Sequence, residues 1–434
     1  MSDIELGILG CVVLLVLLMS SMPVAFVMAI IGMVGMAILR NPELGINIVS
    51  RELYTTLTGQ TLSVIPLFVL MGQVAFHSGI SRKLFKAAYS WIGWLPGGMA
   101  MATVGACSGF GAICGSGPAT SATIGAVALP EMKRYGYRMQ LATGAVAAGG
   151  SLGMLIPPSV VFIVYAVLTQ GSIGDLFIAG LIPGTLITLI FCITIFLWCK
   201  LRPSLGPAGE PTSLKEKIIS LGGVFETLIL FLLVIGGIFL GWFAPIEAAA
   251  IGAFGSLVIA AAKRKLTLRM LKQALKETAR TTCMVMIIVA GAKIFGQFLA
   301  RTELTEHLAT WLATVPAPAW LLVTLILAFY FVAGCFVDAL ALVLLTVPIF
   351  HPVVVGLGYD SIWFGVMIVV VTQMGVISPP VGVNVYVVAG IERDVSLQTV
   401  FRGALPFLLA LVVAAAVLII FPDLTTFLPK LIER

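Results

Sequence analysis

Long apolar stretches with few charges recur along the whole sequence. Of the 434 residues, 60% are hydrophobic and only 10% are charged, whereas soluble domains carry about 25% charged residues. A helix of about 20 apolar residues is long enough to cross a bilayer. Stretches of this kind lie at about 6–20, 22–39, 61–78, 139–168, 176–199, 222–243, 245–262, 281–300, 318–333, 361–389 and 399–421. We therefore expect an all-α protein that crosses a membrane many times, which excludes a water-soluble enzyme and a secreted disulfide-rich domain.

The basic residues are distributed as in the loops of a membrane protein. Lysines and arginines lie in short runs between the apolar stretches, as they do in cytoplasmic loops. They form no continuous basic surface with interleaved aromatic residues, so we expect no nucleic-acid partner. The sequence has no GxxxxGK[ST] phosphate loop, so we expect no ATP site. The first apolar stretch follows Asp3 and Glu5 rather than basic residues, and we expect it to be retained as a helix.

The sequence divides into two similar halves at the polar segment 200–217. The phrase Gly153–Ser159 (GMLIPPS) resembles Gly375–Val381 (GVISPPV), which lies 222 positions later. Further residues recur at nearly the same spacing, namely Gly180 and Pro183 with Gly403 and Pro406, and Pro130 with Pro348. A nearly constant offset over several landmarks indicates an internal repeat.

Two apolar segments of unusual composition are predicted to be re-entrant hairpins. Basic residues flank the first segment, 97–130, on both sides: Arg82, Lys83, Lys86, Lys133, Arg134 and Arg138. Both ends of this segment should therefore face the cytoplasm. The second segment, 318–350, is flanked mainly by acidic residues and histidines, so both of its ends should face outside. Opposed hairpins in related halves are typical of the inverted repeats of secondary transporters.

Each double proline lies inside a long apolar stretch, where it should break the helix. Proline lacks the backbone donor and clashes with the preceding turn, and free carbonyls persist in lipid only beside protein, water or an ion. We expect two broken helices near the membrane midplane. Their carbonyls can bind a small cation, and their helix N-termini favour an anion. For either motif alone, a proline kink without a ligand is the alternative.

Both hairpins contain candidate binding residues. Ser116-Gly117-Pro118 is the predicted turn of the first hairpin, where unpaired N–H groups could bind a carboxylate. Asp338 is the only acidic residue in the apolar run from about 318 to 350. An intramembrane carboxylate is costly and usually functional, so we predict a binding role. The alternative is that Asp338 caps a helix by accepting backbone N–H bonds.

Two further predictions concern charges in the second half. Lys293 lies within the apolar stretch 281–300 and requires a partner, for which we expect an ion pair with Glu226 or Glu247. The basic segment 265–279 is predicted to be a separate helix that lies in the membrane interface.

Four segments together resemble the large membrane subunit of tripartite ATP-independent periplasmic (TRAP) transporters. They are Phe110–Met132, Gly153–Ser159, Gly334–Pro348 and Gly375–Tyr386. The resemblance covers nearly the whole chain and implies a sodium-driven importer of organic acids, with dicarboxylates, sialic acid, sugar acids and keto acids all open as substrates. It also implies two or more coupling Na⁺ ions and a multi-pass location in the bacterial inner membrane. The implied partners are a small four-helix membrane subunit and a periplasmic substrate-binding protein.

The resemblance further implies an elevator mechanism, in which a transport domain moves against a fixed scaffold. The scaffold helices are then expected in 1–80 and 218–300. The transport domain comprises 81–200, with the first hairpin and first broken helix, and 301–434, with the second pair. Residues 201–217 link the two repeats.

Site residues follow from the same resemblance. Each of two sodium sites should lie where a hairpin tip meets a broken helix, with the carbonyls of Gly153 and Pro157 among the ligands. The full predicted sets are Ser108, Gly153 and Pro157 in the first half, and Gly334, Gly375 and Ser378 in the second. The predicted substrate-binding residues are Ser116, Ser159 and Asp338. The family often has Thr at the position of Ser378 and Glu at the position of Gln373.

Three other classes of protein remain open from the sequence. An ion channel would also use re-entrant hairpins, although no repeated selectivity loop is present. A stand-alone sodium–anion symporter with a similar hairpin fold would need no binding protein. An intramembrane enzyme would need clustered acids or histidines, whereas Asp338 stands alone in its segment.

Overall fold

The computed structural model describes residues 2–20, 22–314 and 317–432, and these residues form helices and connections without strands. The first half contains α1 (Asp3–Met19), α2 (Val24–Leu39), α3 (Pro42–Thr58), α4 (Val64–His77), α5 (Ile80–Ile92), α6 (Gly98–Cys114), α7 (Gly117–Arg134), α8 (Met139–Ser151), α9 (Val160–Thr169), α10 (Ile173–Ala179) and α11 (Leu181–Leu201). The second half contains α12 (Leu214–Gly222), α13 (Phe225–Phe239), α14 (Pro245–Ala262), α15 (Leu268–Arg301), α16 (Leu304–Thr314), α17 (Ala319–Gly334), α18 (Ala339–Gly356), α19 (Ser361–Val376), α20 (Val383–Ile391), α21 (Leu397–Ile420) and α22 (Asp423–Ile432).

The helices have the length and composition that a membrane protein requires. Among the described residues, six helical segments are long and apolar enough to cross a bilayer, and the bent pair α12–α13 would make a seventh. Large apolar side chains such as Leu232, Leu409 and Val413 are exposed on the outer helices. This arrangement suits contact with lipid, because a protein in a bilayer need not cover its outside with polar groups. The predicted all-α, multi-span fold class is confirmed at this level.

Helix boundaries in the two halves keep the register of the repeat. Helices α7 and α18 both have 18 residues, and they begin 222 positions apart, at Gly117 and Ala339. In this register Pro130 of α7 corresponds to Pro352 of α18. The pairing of Pro130 with Pro348 was therefore wrong by one helical turn, because α18 contains both Pro348 and Pro352.

The two halves differ between α2 and α5 in the first and between α14 and α16 in the second. In the first half α3 and α4 are separated at Gly59, which has an extended conformation, and a short 3₁₀ turn follows. The corresponding part of the second half is the continuous 34-residue helix α15. The basic segment 265–279 therefore leads into α15 and is not a separate helix, and its location in the membrane interface stays a prediction. The positions of Gly59 and Pro66 are taken in α15 by Thr281 and Ile288, which do not interrupt a helix.

Pairs of helices lie at the positions of both predicted hairpins and both predicted broken helices. The first hairpin is α6–α7 and the second is α17–α18. The first broken helix is α8–α9, and the second is α19–α20. The first break lies in the centre of the molecule, because residues 141–166 are buried without interruption. The second break reaches the surface at Pro379, Pro380 and Val381.

Candidate functional site

The first hairpin turns at Gly115 and Ser116. Gly115 has a left-handed conformation with φ 65°, and its N–H donates to the carbonyl of Gly111 at 2.9 Å. Ser116 is extended and precedes α7, but its side chain makes no capping bond. The tip therefore lies one residue before the predicted turn at Ser116-Gly117-Pro118. The Ser116 hydroxyl and the first N–H groups of α7 remain available to an anion.

The first helix break exposes a row of main-chain oxygens. Helix α8 ends at Ser151, a 3₁₀ turn covers Leu152–Met154, and the chain is then irregular until α9 begins at Val160. The peptide bond between Pro157 and Pro158 is cis. Within this described segment, hydrogen bonds go to the carbonyls of Leu152 and Met154. The carbonyl oxygens of Gly153, Leu155, Ile156, Pro157 and Pro158 accept no such bond, as binding of a cation through carbonyls would require.

The tip of the first hairpin packs directly on this break. A Cβ added to Gly111 would lie 2.7 Å from the Cα of Gly153. One added to Gly153 would lie 2.6 Å from Oγ1 of Thr120 and 2.9 Å from the carbonyl oxygen of Ser116. Backbones can approach this closely only because both positions are glycine. The structure therefore brings Ser116 and Gly153 together.

Two predicted residues of the first half differ in their surroundings. The hydroxyl of Ser108 lies 3.5 Å from that of Thr188 on α11, one helical turn from Gly111. Among the described residues, the Ser108 side chain forms no hydrogen bond with Gly153. By contrast, Pro158, beside the predicted Pro157, approaches the tip: a Cβ on Gly115 would lie 2.6 Å from its carbonyl oxygen.

The second hairpin turns between Gly334 and Ala339, with Asp338 at the N-cap of α18. The Asp338 carboxylate accepts a hydrogen bond from the N–H of Leu340 at 3.0 Å. The capping role considered from the sequence is thus present. The side chain is nevertheless exposed, so part of the carboxylate remains available for a ligand.

The second hairpin and the second break meet in the same way as the first pair. A Cβ on Gly375 would lie 2.3 Å from the carbonyl carbon of Gly334 and 2.5 Å from its oxygen. The N–H of Val381 donates to the carbonyl of Cys335 at 3.2 Å, which joins the break to the tip. The carbonyl oxygens of Ile377, Ser378, Pro379 and Pro380 accept no hydrogen bond among the described residues. The peptide bond between Pro379 and Pro380 is cis.

The register of the repeat relates the two crossing points residue by residue. Ser116 and Asp338 are separated by 222 positions, and each immediately precedes the second helix of its hairpin. Gly111 and Gly334 are separated by 223 positions, and each packs on the glycine of its broken helix. Sequence reasoning did not select Gly111, and the role of Ser108 stays a prediction. The signal was present, because the offset from Gly334 points to Gly111.

Both predicted serine ligands of the broken helices are buried and bonded locally. Ser159 caps α9, accepts from the N–H of Phe162 at 3.5 Å and donates to the carbonyl of Met154. Ser378 donates to the carbonyl of Met374 at 2.6 Å. A serine hydroxyl that donates in this way keeps its lone pairs, so Ser378 can still coordinate a cation.

Two buried amides beside the second break have unused polar atoms. Gln373 is fully buried, and neither its amide nitrogen nor its amide oxygen has a hydrogen-bond partner among the described residues. Asn384 is also fully buried; its nitrogen donates to the carbonyl of Ala147 at 3.0 Å, while its oxygen has no partner. Each such atom costs roughly 1–3 kcal/mol unless it finds a partner. Sequence reasoning did not select Asn384, although it closely follows the double proline.

Contacts also join the first hairpin to the second broken helix. Lys133 at the end of α7 donates to Glu392 at 2.5 Å and lies 3.4 Å from Asp394. The hydrogen bond to Glu392 raises the pKa of the Lys133 ammonium. Together with the Asn384–Ala147 bond, this pair links the site-bearing parts of the two halves.

Lys293 does not form the predicted ion pair. Glu226 pairs with Lys263, and Glu247 accepts a hydrogen bond from the N–H of Ala244 at 2.9 Å. Both carboxylates are occupied near the ends of α13 and α14, away from the middle of α15. Lys293 instead lines a cavity of about 480 Å³ between α3, α15 and α18, together with Arg51, Glu52 and His351.

The chemistry of the two crossing points suits an alkali cation. Across the described ranges, no group of three His, Cys, Asp or Glu side chains is arranged to hold a metal ion. The ligands on offer are main-chain carbonyls and hydroxyls, which are neutral oxygen donors. Such donors at unwound helix breaks coordinate Na⁺ in secondary transporters.

Comparison with known proteins gives a consistent result. The family described as "Tripartite ATP-independent periplasmic transporter, DctM component" matches residues 11–424. The chain is 35% identical over 380 residues to the C4-dicarboxylate TRAP transporter large permease protein DctM of Pseudomonas aeruginosa, covering 87% of this chain and 88% of that protein. It is 35% identical over 420 residues to the sialic acid TRAP transporter large permease protein SiaM of Vibrio cholerae, covering 96% of each. The fold is similar to that of the Alcanivorax borkumensis YdaH transporter, with a TM-score of 0.62, 17% identity and coverage of 85% of this chain and 87% of that one.

Proposed function

The chain belongs to the tripartite ATP-independent periplasmic transporter family as its DctM component, the large permease, and on this premise we propose that it carries organic acids into the cell, coupled to sodium. The observation that carries the coupling is the pair of helix breaks, whose free main-chain oxygens lie against a hairpin tip. Bare carbonyls within a bilayer need an ion, water or protein donor. A coupling cation meets this requirement.

We assign one Na⁺ to each crossing point. The first would be held by the carbonyls of Gly153 and Pro157, with Ser108 as the predicted hydroxyl ligand. The second would be held by Gly334, Gly375 and the hydroxyl of Ser378. The bound cation supplies positive charge beside the substrate pocket, where it offsets the repulsion between Asp338 and an anionic substrate.

The substrate would bind where the helix N-termini converge on the breaks. Helices α7, α9 and α18 begin directly after Ser116, Ser159 and Asp338. N-terminal N–H groups and the helix dipole favour a carboxylate. The relatives named for C4-dicarboxylate and for sialic acid are equally similar to this chain in percentage identity. We therefore propose a carboxylate-bearing organic acid without choosing between these two substrates.

An elevator motion would carry this site across the membrane. The proposed moving parts are 81–200 and 301–434, and the proposed scaffold is 1–80 and 218–300. Backbone-to-backbone packing of Gly334 on Gly375 supports movement of each hairpin with its broken helix as one body. The Asn384–Ala147 bond supports joint movement of the two halves of the transport domain.

The proposed setting is the inner membrane of a bacterium. There the chain would work with a small four-helix membrane subunit and receive substrate from a periplasmic binding protein. This division of labour is the one that the family description implies.

The decisive experiment is uptake into proteoliposomes that contain this chain and its small subunit, with the binding protein added outside. We expect uptake of succinate or sialic acid to exceed equilibrium when a sodium gradient is imposed inward. The matched control replaces sodium with potassium at equal ionic strength.

Two outcomes would contradict the proposal. Uptake that proceeds equally in potassium would remove the sodium coupling. Flux that only equilibrates the acid, and that needs no binding protein, would instead indicate a channel.

A further inference from the structure

A second cavity lies where the ends of four helices meet, at residues distant in sequence from both double prolines. It has a volume of about 490 Å³ and lies between the end of α4, the start of α5, Val127 of α7 and the turn that joins α14 to α15. Its lining includes five groups that are basic or can be protonated: His77, Arg82, Lys83, Lys263 and Lys265. No carboxylate lines it.

The positive charge of this cavity is only partly neutralised. His77 pairs with Glu277 at 3.3 Å, and Lys263 pairs with Glu226. Within the described residues, Arg82, Lys83 and Lys265 form no ion pair. These three exposed cations give the mouth of the cavity a net positive charge, which favours an anionic ligand.

The start of α5 adds uncharged donors to the same cavity. Gly79 occupies the N-cap with φ 76°, and having no side chain it cannot cap the helix. Next to it, the Ser81 side chain is buried and also lines the cavity. The free N–H groups of the first turn and the positive end of a 13-residue helix favour a bound anion.

Apolar residues lie near the cavity-lining residues in sequence. Val74, Ala260, Met270 and Ala274 form a buried cluster that joins α4, α14 and α15, and Val74 and Ala260 each lie one helical turn before a lining residue, His77 and Lys263. Close in sequence to the lining residues, Phe76, Leu266 and Leu268 expose 36%, 36% and 85% of their surfaces. Exposed apolar side chains beside a basic pocket match a ligand with a charged head and a hydrocarbon tail.

We propose that this cavity binds a phosphate group, carried by an anionic phospholipid of the cytoplasmic leaflet. The basic residues identify the cytoplasmic side, and basic pockets between membrane helices on that side bind phosphorylated lipid heads. Free phosphate offers the same head-group chemistry, but it would leave the exposed Phe76 and Leu268 without a partner. This site is separate from the proposed sodium and substrate sites and does not depend on them.

The test measures lipid binding to the full purified chain in neutral detergent. Phosphatidylglycerol is titrated and binding is followed by native mass spectrometry, with inorganic phosphate as a separate arm. The variant R82Q/K83Q/K265Q removes the three unpaired cations. The matched control R269Q/K272Q/K276Q removes the same charge from exposed positions of α15 that do not line the cavity.

We expect the cavity variant to bind phosphatidylglycerol about tenfold more weakly or worse, and the control variant to bind like wild type. Thermal unfolding of both variants checks that they fold. Equal weakening in both variants, or no weakening in either, overturns the site. Saturable binding of inorganic phosphate without binding of phosphatidylglycerol overturns the lipid assignment.

Discussion

At the scale of single residues, Asp338 combines two properties that sequence reasoning treated as alternatives. It caps α18 through the N–H of Leu340, and it leaves its side chain exposed at the hairpin tip. Its counterpart Ser116 has no capping bond. The two tips therefore differ by one negative charge, and only the second tip can repel an anionic substrate directly.

Substitution of Asp338 can separate the charge from the cap. Asn caps helices nearly as well as Asp, whereas Ala costs about 1 kcal/mol at such a position. We expect D338N and D338A both to impair uptake, and only D338A to lower the thermal stability. If D338N took up substrate at nearly the wild-type rate, the charge of Asp338 would not be needed for transport, and only its capping role would remain.

Ser378 allows a test of cation binding with a conservative control. We expect S378A to raise the sodium concentration for half-maximal uptake by about fivefold, the equivalent of roughly 1 kcal/mol. S378T retains a hydroxyl and should behave like wild type. The substrate concentration is held fixed in the sodium titration. An unchanged sodium dependence of uptake in S378A would then show that this hydroxyl does not coordinate the cation.

At the scale of helices, the important feature is the contact of each hairpin tip with a break. The contacts are made by glycines on both sides, Gly111 with Gly153 and Gly334 with Gly375. Because backbone meets backbone, these positions cannot relax by moving a flexible side chain. Small shifts of a tip would therefore displace the carbonyls that we assign to sodium.

Gly375 provides the test of this contact. In G375A the new methyl group would lie 2.3 Å from the carbonyl carbon of Gly334, so backbone must move at a cost of about 1–3 kcal/mol. We expect about a tenfold or greater loss of uptake in proteoliposomes, with membrane insertion retained. G390A on the neighbouring α20 is the control, because nothing lies within 4 Å of its added methyl group. Similar uptake by both variants would contradict the proposed role of the contact.

At the scale of the whole molecule, the two halves share a register but not an environment. The first break is buried throughout 141–166, whereas the second reaches the surface at Pro379 and Pro380. In the proposed inverted repeat, one covered and one open crossing are expected of alternating access, in which the two environments exchange.

The opposed orientation of the hairpins can be tested by labelling in intact cells. Lys86 and Arg134 flank the first hairpin, and Pro318 and Val355 lie at the ends of the second; all four are exposed. We expect an impermeant maleimide added outside to label P318C and V355C but not K86C or R134C. Labelling of the wild-type protein measures the background from the native cysteines. Labelling of one flank of a hairpin from outside and the other only after lysis would make it a through-span.

Several details of the site could not be predicted from the sequence pattern alone. The double prolines predict where the helices break, since proline removes a donor in any context. They do not indicate which side of a hairpin helix meets the break, so the sequence does not predict the contact of Gly111 with Gly153. Similarly, the sequence indicates that Lys293 within an apolar stretch needs a partner. The two carboxylates expected to pair with it, Glu226 and Glu247, bind other groups instead.

By itself, the sequence determined the membrane class, the spacing that relates the two halves, and the places where the paired helices turn and break. These depend on local composition and on backbone chemistry, which act over a turn or two of helix. Only the tertiary structure decided that Gly111 packs on Gly153, that α15 is continuous, and that Gln373 and Asn384 are buried with unused polar atoms. Such features depend on which helix faces which, and that is fixed by packing between residues far apart in the chain.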